Sequence, residues 1–312
     1  MNTSSITIKT LIAIAASTLV ALASGGVSAQ TITTINSTTG IANTLTSAVL
    51  AAGSGITVVA GSGTYQGTNT ASFQQSATYT GFNLAPSSGS SPTLTLANGI
   101  LLTSGNANLP KTNTLNQFSA QSGSGSNAQL SALSASAGGT STTNDANVLS
   151  FFFNVAAGIT SVSAQFVFGT DEFPTQNVTD IFGFFVDGVN YAKFGNGQLI
   201  SNTSGNPTNF ISNPVGAGLY GIEYNGLTQV FTVNGILGAG NADGSHTITI
   251  GIADTADAIF DSGVFVASLQ AGTATGGGGI VPGIPEPETY ALMLAGLAAV
   301  GFVARRRKNK AA

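Results

Sequence analysis

Between residues 148 and 269 the chain falls into short runs in which apolar residues alternate with small or polar ones, as in Val162, Ala164, Phe166, Phe168 and again in Ile248, Ile250, Ile252. A period of two puts alternate side chains on opposite sides of an extended strand, so such runs predict strands with one buried and one wet face. The runs at 148–155, 161–168, 180–186, 189–194, 228–233, 246–253 and 263–269 are rich in Phe, Val, Ile and Thr, with Gly, Asn, Asp or Pro in most of the gaps. Many short strands of this kind predict an all-β body, a jelly-roll-like β-sandwich. Two stretches depart from the pattern. Residues 42–51, with Ile41, Leu45, Val49 and Leu50 on one side and a Gly53-Ser54-Gly55 exit, predict a short N-terminal helix. Residues 119–143 are rich in Ser, Gly and Ala and read mostly as loop, with a helical turn over 128–135.

The two ends of the chain differ from this body. Lys9 precedes an apolar run from Leu11 to Leu22, followed by Ser24, Gly25, Gly26, Val27, Ser28 and Ala29. That order predicts a secretory signal peptide over 1–29, cut by signal peptidase between Ala29 and Gln30. Toward the other end, glycines 276–279 and then Pro282, Pro285, Glu286 and Pro287 predict an extended linker. A 15-residue apolar run, 290–304, follows, and Arg305, Arg306, Arg307, Lys308 and Lys310 come directly after it. The run is short for a crossing, but the basic cluster would hold its end in the cytoplasm and place the body outside, as a C-terminal transmembrane helix.

The order Pro285-Glu286-Pro287, apolar helix, arginine cluster resembles the PEP-CTERM sorting signal. The resemblance implies recognition by an exosortase, the inner membrane as a temporary anchor, and a final location at the cell surface or beyond it. The chain then divides into a signal peptide (1–29), a β-rich ectodomain (30–272), a Gly/Pro linker (273–284) and a sorting signal (285–310).

Composition narrows the possible roles. Cysteine is absent, which excludes disulfides, thiolate metal sites and a cysteine nucleophile. Outside the two terminal segments there are ten acids, all between Asp145 and Asp261, against only Lys111 and Lys193. Such a balance repels phosphate backbones and argues against nucleic acid as a partner. Cations are the better-matched small partners.

Four segments of the body, Gly99-Ile100-Leu101-Leu102-Thr103-Ser104-Gly105-Asn106, then Phe166-Val167-Phe168-Gly169-Thr170-Asp171-Glu172-Phe173, Asp180-Ile181-Phe182-Gly183-Phe184-Phe185-Val186, and Ile252-Ala253-Asp254 through Asp261-Ser262-Gly263-Val264-Phe265, resemble the choice-of-anchor L domain. The resemblance extends over roughly residues 40–270. It implies surface display by one of several sorting tails and names no molecular activity.

Catalytic parts are few. His246, the one histidine, has no Gly-x-Ser-x-Gly nucleophile turn beside it, so a serine triad lacks its second member. Asp261-Ser262-Gly263 and Asp254-Thr255-Ala256 echo an aspartic-protease turn, but two copies on one loop cannot supply a dyad from separate lobes. Asp171 and Glu172 are adjacent, which on a strand sends them to opposite faces and away from a shared glycosidic bond. Tyr65, Tyr79, Tyr191, Tyr220 and Tyr224 are candidate platforms for sugar rings. Asn36, Asn177 and Asn202 head N-x-Ser/Thr triplets, which mark surface loops.

The expectation is therefore a non-enzymatic structural or interaction protein, in biofilm or exopolysaccharide. A carbohydrate-binding module for a secreted polysaccharide is the alternative, and a carboxylate-dependent hydrolase the weaker one. Asp171, Glu172 and Asp180 bracket one turn, while Asp254, Asp257 and Asp261 lie in another. If the two loops meet at one end of the sandwich, these six acids form a candidate calcium site.

Overall fold

The computed structural model describes residues 30–174, 180–201, 207–216, 219–275 and 281–282. The expected signal peptide, PEP motif, apolar run and basic cluster lie outside the described residues, as do Asn177 and Asn202. In chain order the first elements are β1 (Thr31–Thr34), α1 (Ile41–Val49), β2 (Ile56–Val58), β3 (Thr64–Gln66), β4 (Ser76–Thr80), β5 (Asn83–Leu84), β6 (Leu94–Thr95) and β7 (Gly99–Thr103). Then come α2 (Ala128–Ser136), β8 (Thr143–Val155), β9 (Ser161–Thr170), β10 (Ile181–Val186), β11 (Val189–Asn190) and β12 (Phe210–Ser212). The last are β13 (Gly226–Thr228), β14 (Phe231–Ile236), β15 (His246–Thr255), β16 (Ser262–Gly272) and β17 (Val281–Pro282).

Two antiparallel sheets carry the body, as the alternating runs predict. The nine-stranded sheet runs β1-β4-β7-β16-β9-β13-β12, with β14 also paired to β9 and β17 paired to β14. The six-stranded sheet runs β11-β10-β15-β8-β2, with β3 also on β8. Between them lies one core. Ile100, Leu102, Phe166, Phe168, Val264 and Val266 come from the larger sheet, and Phe151, Phe153, Phe182, Phe184, Ile248, Ile250 and Ile252 from the smaller, in one buried cluster. Fully burying such side chains contributes about 1.5–3 kcal/mol each, enough to make this interior the main organiser of the fold.

The expected wet faces are present in part: Ser150, Phe152 and Asn154 of β8, Ser163 and Gln165 of β9 and alternate residues of β14 stay open, while the rest is covered. On the outer side of the six-stranded sheet, Val148, Ile181, Phe185 and Ala253 pack under Leu130 and Leu133 of α2. That helix is two turns rather than one, because the Asn127 side chain caps it, accepting from the N–H groups of Gln129 (3.0 Å) and Leu130 (3.2 Å). On the outer side of the nine-stranded sheet, Tyr79, Leu101, Val167 and Phe265 lie under Phe82, Leu94, Tyr220 and Tyr224. Helix α1 has no side-chain cap; Ile41, Leu45 and Val49, spaced four apart, hold it against the inter-sheet core.

Other boundaries shift for local reasons. The run at 189–194 pairs only over β11, after which the chain turns away through Lys193 and Gly197. The run at 228–233 belongs to two strands, β13 and β14, which pair with different stretches of β9. Seven strands upstream of α2 carry no long alternating signal, since they are two to five residues long and rich in Ser and Thr.

Gly169 of β9 and Gly263 of β16 face each other across the ladder, and the Tyr224 ring lies on both. An added Cβ would fall 2.4 Å from the ring at Gly169 and 2.2 Å from its hydroxyl at Gly263. Gly169→Ala should therefore destabilise the chain by about 1–3 kcal/mol in denaturant melts, the usual range for overpacking. Gly195→Ala, where an added Cβ meets nothing within 4 Å, should stay within about 0.5 kcal/mol of the native chain.

Candidate functional site

Six strands change character at the same end of the sandwich. Their inward rows are apolar through the middle and then turn to oxygen-bearing side chains. Ile100 and Leu102 lead to Ser104; Phe151 and Leu149 to Asn147; Phe166 and Phe168 to Thr170 and Glu172. Phe184 and Phe182 lead to Asp180, Ile250 and Ile252 to Asp254, and Val266 and Val264 to Ser262. All seven polar side chains are buried, Asp254 completely at 0% exposure. Strand pairing brings them together. Ser262 stands opposite Thr170. Asp180 and Asp254 fall one step beyond the paired Ile181 and Ala253.

The groups at this end contact one another. The Ser104 hydroxyl donates to Oδ2 of Asp180 (3.3 Å) and accepts from the Ser262 N–H (3.0 Å). The Asp180 N–H donates to Oε2 of Glu172 (3.2 Å), and the Glu172 N–H to the Thr170 hydroxyl (3.1 Å). Burial pushes Asp180 and Asp254 well above the ordinary carboxylate range, and each raises the other further or is raised by a neighbouring acid. Glu172 is pushed up to about 9, first by burial and then by Asp254 and Asp257. Every charged neighbour acting on these three carboxylates is another acid.

The six acids singled out in the sequence divide three ways. Glu172, Asp180 and Asp254 face the interior between the sheets. Asp171 and Asp261 lie on the other side of the nine-stranded sheet. There the Asp171 carboxylate accepts from the N–H groups of Phe118 and Asn225 (3.2 Å), while Asp261 sits against Gly105, its Oδ2 1.6 Å from where a Cβ would be. Both aspartates are pushed up to about 7, mainly by burial. Asp257 is exposed and caps its own turn, accepting from the Ile259 N–H (3.3 Å). The two acid-rich loops do meet, through the Asp171 N–H and the Asp261 carbonyl (3.2 Å), but a sheet separates part of the acid set. Among the described residues no three acidic or imidazole side chains converge as a metal-binding group.

Sequence reasoning passed over Ser104, Asn147, Thr170 and Ser262 as ligand-type residues. The signal was present in the parity of the strands: each continues an inward apolar row by two residues. Asp145 and Glu223, both buried, also serve structure. Asp145 accepts from the N–H groups of Ser122 (2.9 Å) and Gly123 (2.8 Å), and Glu223 from those of Thr114 (3.1 Å) and Leu115 (2.7 Å), so each holds a loop in place.

The remaining candidates are occupied structurally. His246 lies 2.8 Å from Oδ2 of Asp187, far along β15 from the acids, while the neighbouring Ser245 hydroxyl donates to Asp243 (2.6 Å) and not to the imidazole. Tyr79, Tyr220 and Tyr224 are core residues, which removes them as sugar platforms. Tyr65 and Tyr191 are half-buried; Asn69 and Ser76 donate to the Tyr65 hydroxyl, and Tyr191 donates to the Ile236 carbonyl. A cleft of about 420 Å³ bordered by Ile32, Leu84, Leu109, Pro110, Lys111 and Ile222 holds one ionisable group, too few for acid–base work. Among the described residues no helix is long and apolar enough to cross a membrane.

The model of the choice-of-anchor L domain family matches residues 33–271, and that of the PEP-CTERM protein-sorting motif matches residues 283–308. No curated protein and no solved structure matches the chain.

Raised carboxylate pKa values give a definite sign to the pH dependence of folding. Between about pH 4 and 7 for Asp171 and Asp261, and up to about 9 for Glu172, the folded chain holds protons that the unfolded chain has released. The stability they confer is complete below the unfolded values and is lost as pH rises through the folded ones. In metal-free buffer the melting temperature should therefore fall from pH 5 to pH 8.5, and more shallowly in Glu172→Gln. A flat or rising profile would contradict the burial of these groups.

Proposed function

Since the chain belongs to the choice-of-anchor L domain family over residues 33–271, we propose that its body is a structural or interaction module of the extracellular matrix, in biofilm or exopolysaccharide. The chain is an exosortase-sorted extracellular protein, and the sorting motif at 283–308 is the observation that carries the reading. Two features of the body support a non-catalytic role. Its clustered carboxylates Glu172, Asp180 and Asp254 are buried away from substrate, and its surface depends on Ser, Thr, Asn and Gln rather than on charge, with 6% of residues charged. Such a surface suits a hydrated polysaccharide setting, where close packing against neutral polymers meets little electrostatic repulsion.

The tail works in two steps in this reading. After signal-peptidase cleavage at Ala29–Gln30, the apolar run 290–304 holds the chain in the inner membrane, with Arg305, Arg306 and Arg307 fixing its orientation. The exosortase then acts near Pro285-Glu286-Pro287 and releases or transfers the body.

Terminal mass analysis of the native protein tests both steps. With exosortase present, the mature chain should begin at Gln30 and end near the PEP motif. Without it, the membrane fraction should retain the run to Ala312. A surface-located protein that still ends at Ala312 would overturn the sorting mechanism. Replacing Arg305, Arg306 and Arg307 with alanine should lower the membrane-retained precursor several-fold. Turnover of a glycan or peptide library by the purified protein would overturn the non-catalytic role.

A further inference from the structure

The oxygen-lined end of the inter-sheet core is built only from groups that attract positive charge. Asp180 and Asp254 meet across adjacent strands, with Ser104 and Ser262 beside them and Glu172 next in line. Both carboxylate oxygens of Asp254, Oδ1 of Asp180 and Oγ of Ser262 make no hydrogen bond of ordinary length, although Ser104 lies close enough to Asp254, and Ser262 to Asp180, to act on their carboxyls. Asp254, Asp180 and Ser262 are each at most 1% exposed. A buried acceptor without a full hydrogen bond is costly, and more so when charged, so a further partner would stabilise this end. Among the described residues no basic side chain is placed to supply it: the charges acting on Asp180 and Asp254 are all acidic, Lys111 borders the cleft beside Leu109, and His246 pairs with Asp187.

The geometry points to a buried calcium site between Asp180 and Asp254, completed by the hydroxyl oxygens of Ser104 and Ser262. Calcium takes six to eight oxygens and accepts carboxylates, neutral oxygens and waters together, so two acids with neutral partners suffice where three acids do not converge. Nitrogen and sulfur ligands are missing from this end, which disfavours zinc and the softer metals. Asp171 and Asp261 stay outside the site because the nine-stranded sheet intervenes, and Asp257 because it is exposed. The inference rests on the interior of the sandwich and is independent of how the chain is sorted.

The test uses the full-length chain in detergent, stripped of metal with chelator and followed by near-UV circular dichroism of its tyrosines. At calcium a hundredfold above its dissociation constant, the melting temperature should rise by roughly 5–10 °C and equilibrium dialysis should find one bound ion. Asp254→Asn and Asp180→Asn should abolish both the rise and the bound ion. In chelator these variants should melt close to the native chain, because an amide replaces a buried carboxyl of nearly the same shape; this shows that they fold. Asp257→Asn should respond to calcium as the native chain does. Identical melting in calcium and chelator, absence of a bound ion, or a calcium response retained in Asp254→Asn would overturn the site.

Discussion

The two facing sheets fix the direction of every side chain between them. A strand cannot slip by one residue without turning its whole inward row outward. Ile248, Ile250 and Ile252 therefore commit Asp254 to the interior, and Phe182 and Phe184 commit Asp180. Several large apolar side chains per strand, each stabilised by burial, outweigh the few kilocalories per mole lost in carrying one acid along. The acids are buried because the apolar rows leave them no other place.

The fold contains these acids at one end and seals them laterally. On the outer side of the larger sheet, Tyr224 lies over the Gly169–Gly263 pair, and the Asp145 and Glu223 carboxylates tie down the loops that would otherwise admit water. With the charged neighbours all of one sign, the interior electrostatics cannot be balanced by an internal ion pair. Among the described residues the one salt bridge, His246 to Asp187, stands at a distance from this end along β15. Burial and the neighbouring acids favour the protonated form of Glu172, Asp180 and Asp254.

The sheet architecture was legible in the sequence wherever a strand exceeded about six residues, since alternation over β8, β9, β15 and β16 needs that length to stand out. It was not legible in β1 to β7, whose pairing is decided by partners far along the chain, as when β7 joins β16. The wet-face expectation held for the outward positions of β8, β9 and β14 away from the covers and not beneath them, because alternation shows which residues are inward but cannot show where a capped helix and a Tyr/Phe-rich cover will close the other side. Of the site, the acidic residues and the meeting of their loops could be read directly. The division of Asp171 from Glu172 was also foreseeable from strand parity, but that of Asp261 from Asp254 needed the intervening turn.

One contact at the edge of the larger sheet sets a length scale for the whole molecule. Val281 and Pro282 pair with Thr232 and Phe231, so the chain leaves the body at a defined edge of β14 and not from a free tail. Pro282 suits that position because an outer strand needs no further donor. From there to Tyr290, where the apolar run begins, only seven residues intervene. Seven residues span at most about 25 Å. On the proposed sorting route, with the apolar run as anchor, that span bounds how far the β14 edge can stand from the lipid headgroups. An enzyme that cuts between body and anchor on that route must reach the chain within this span.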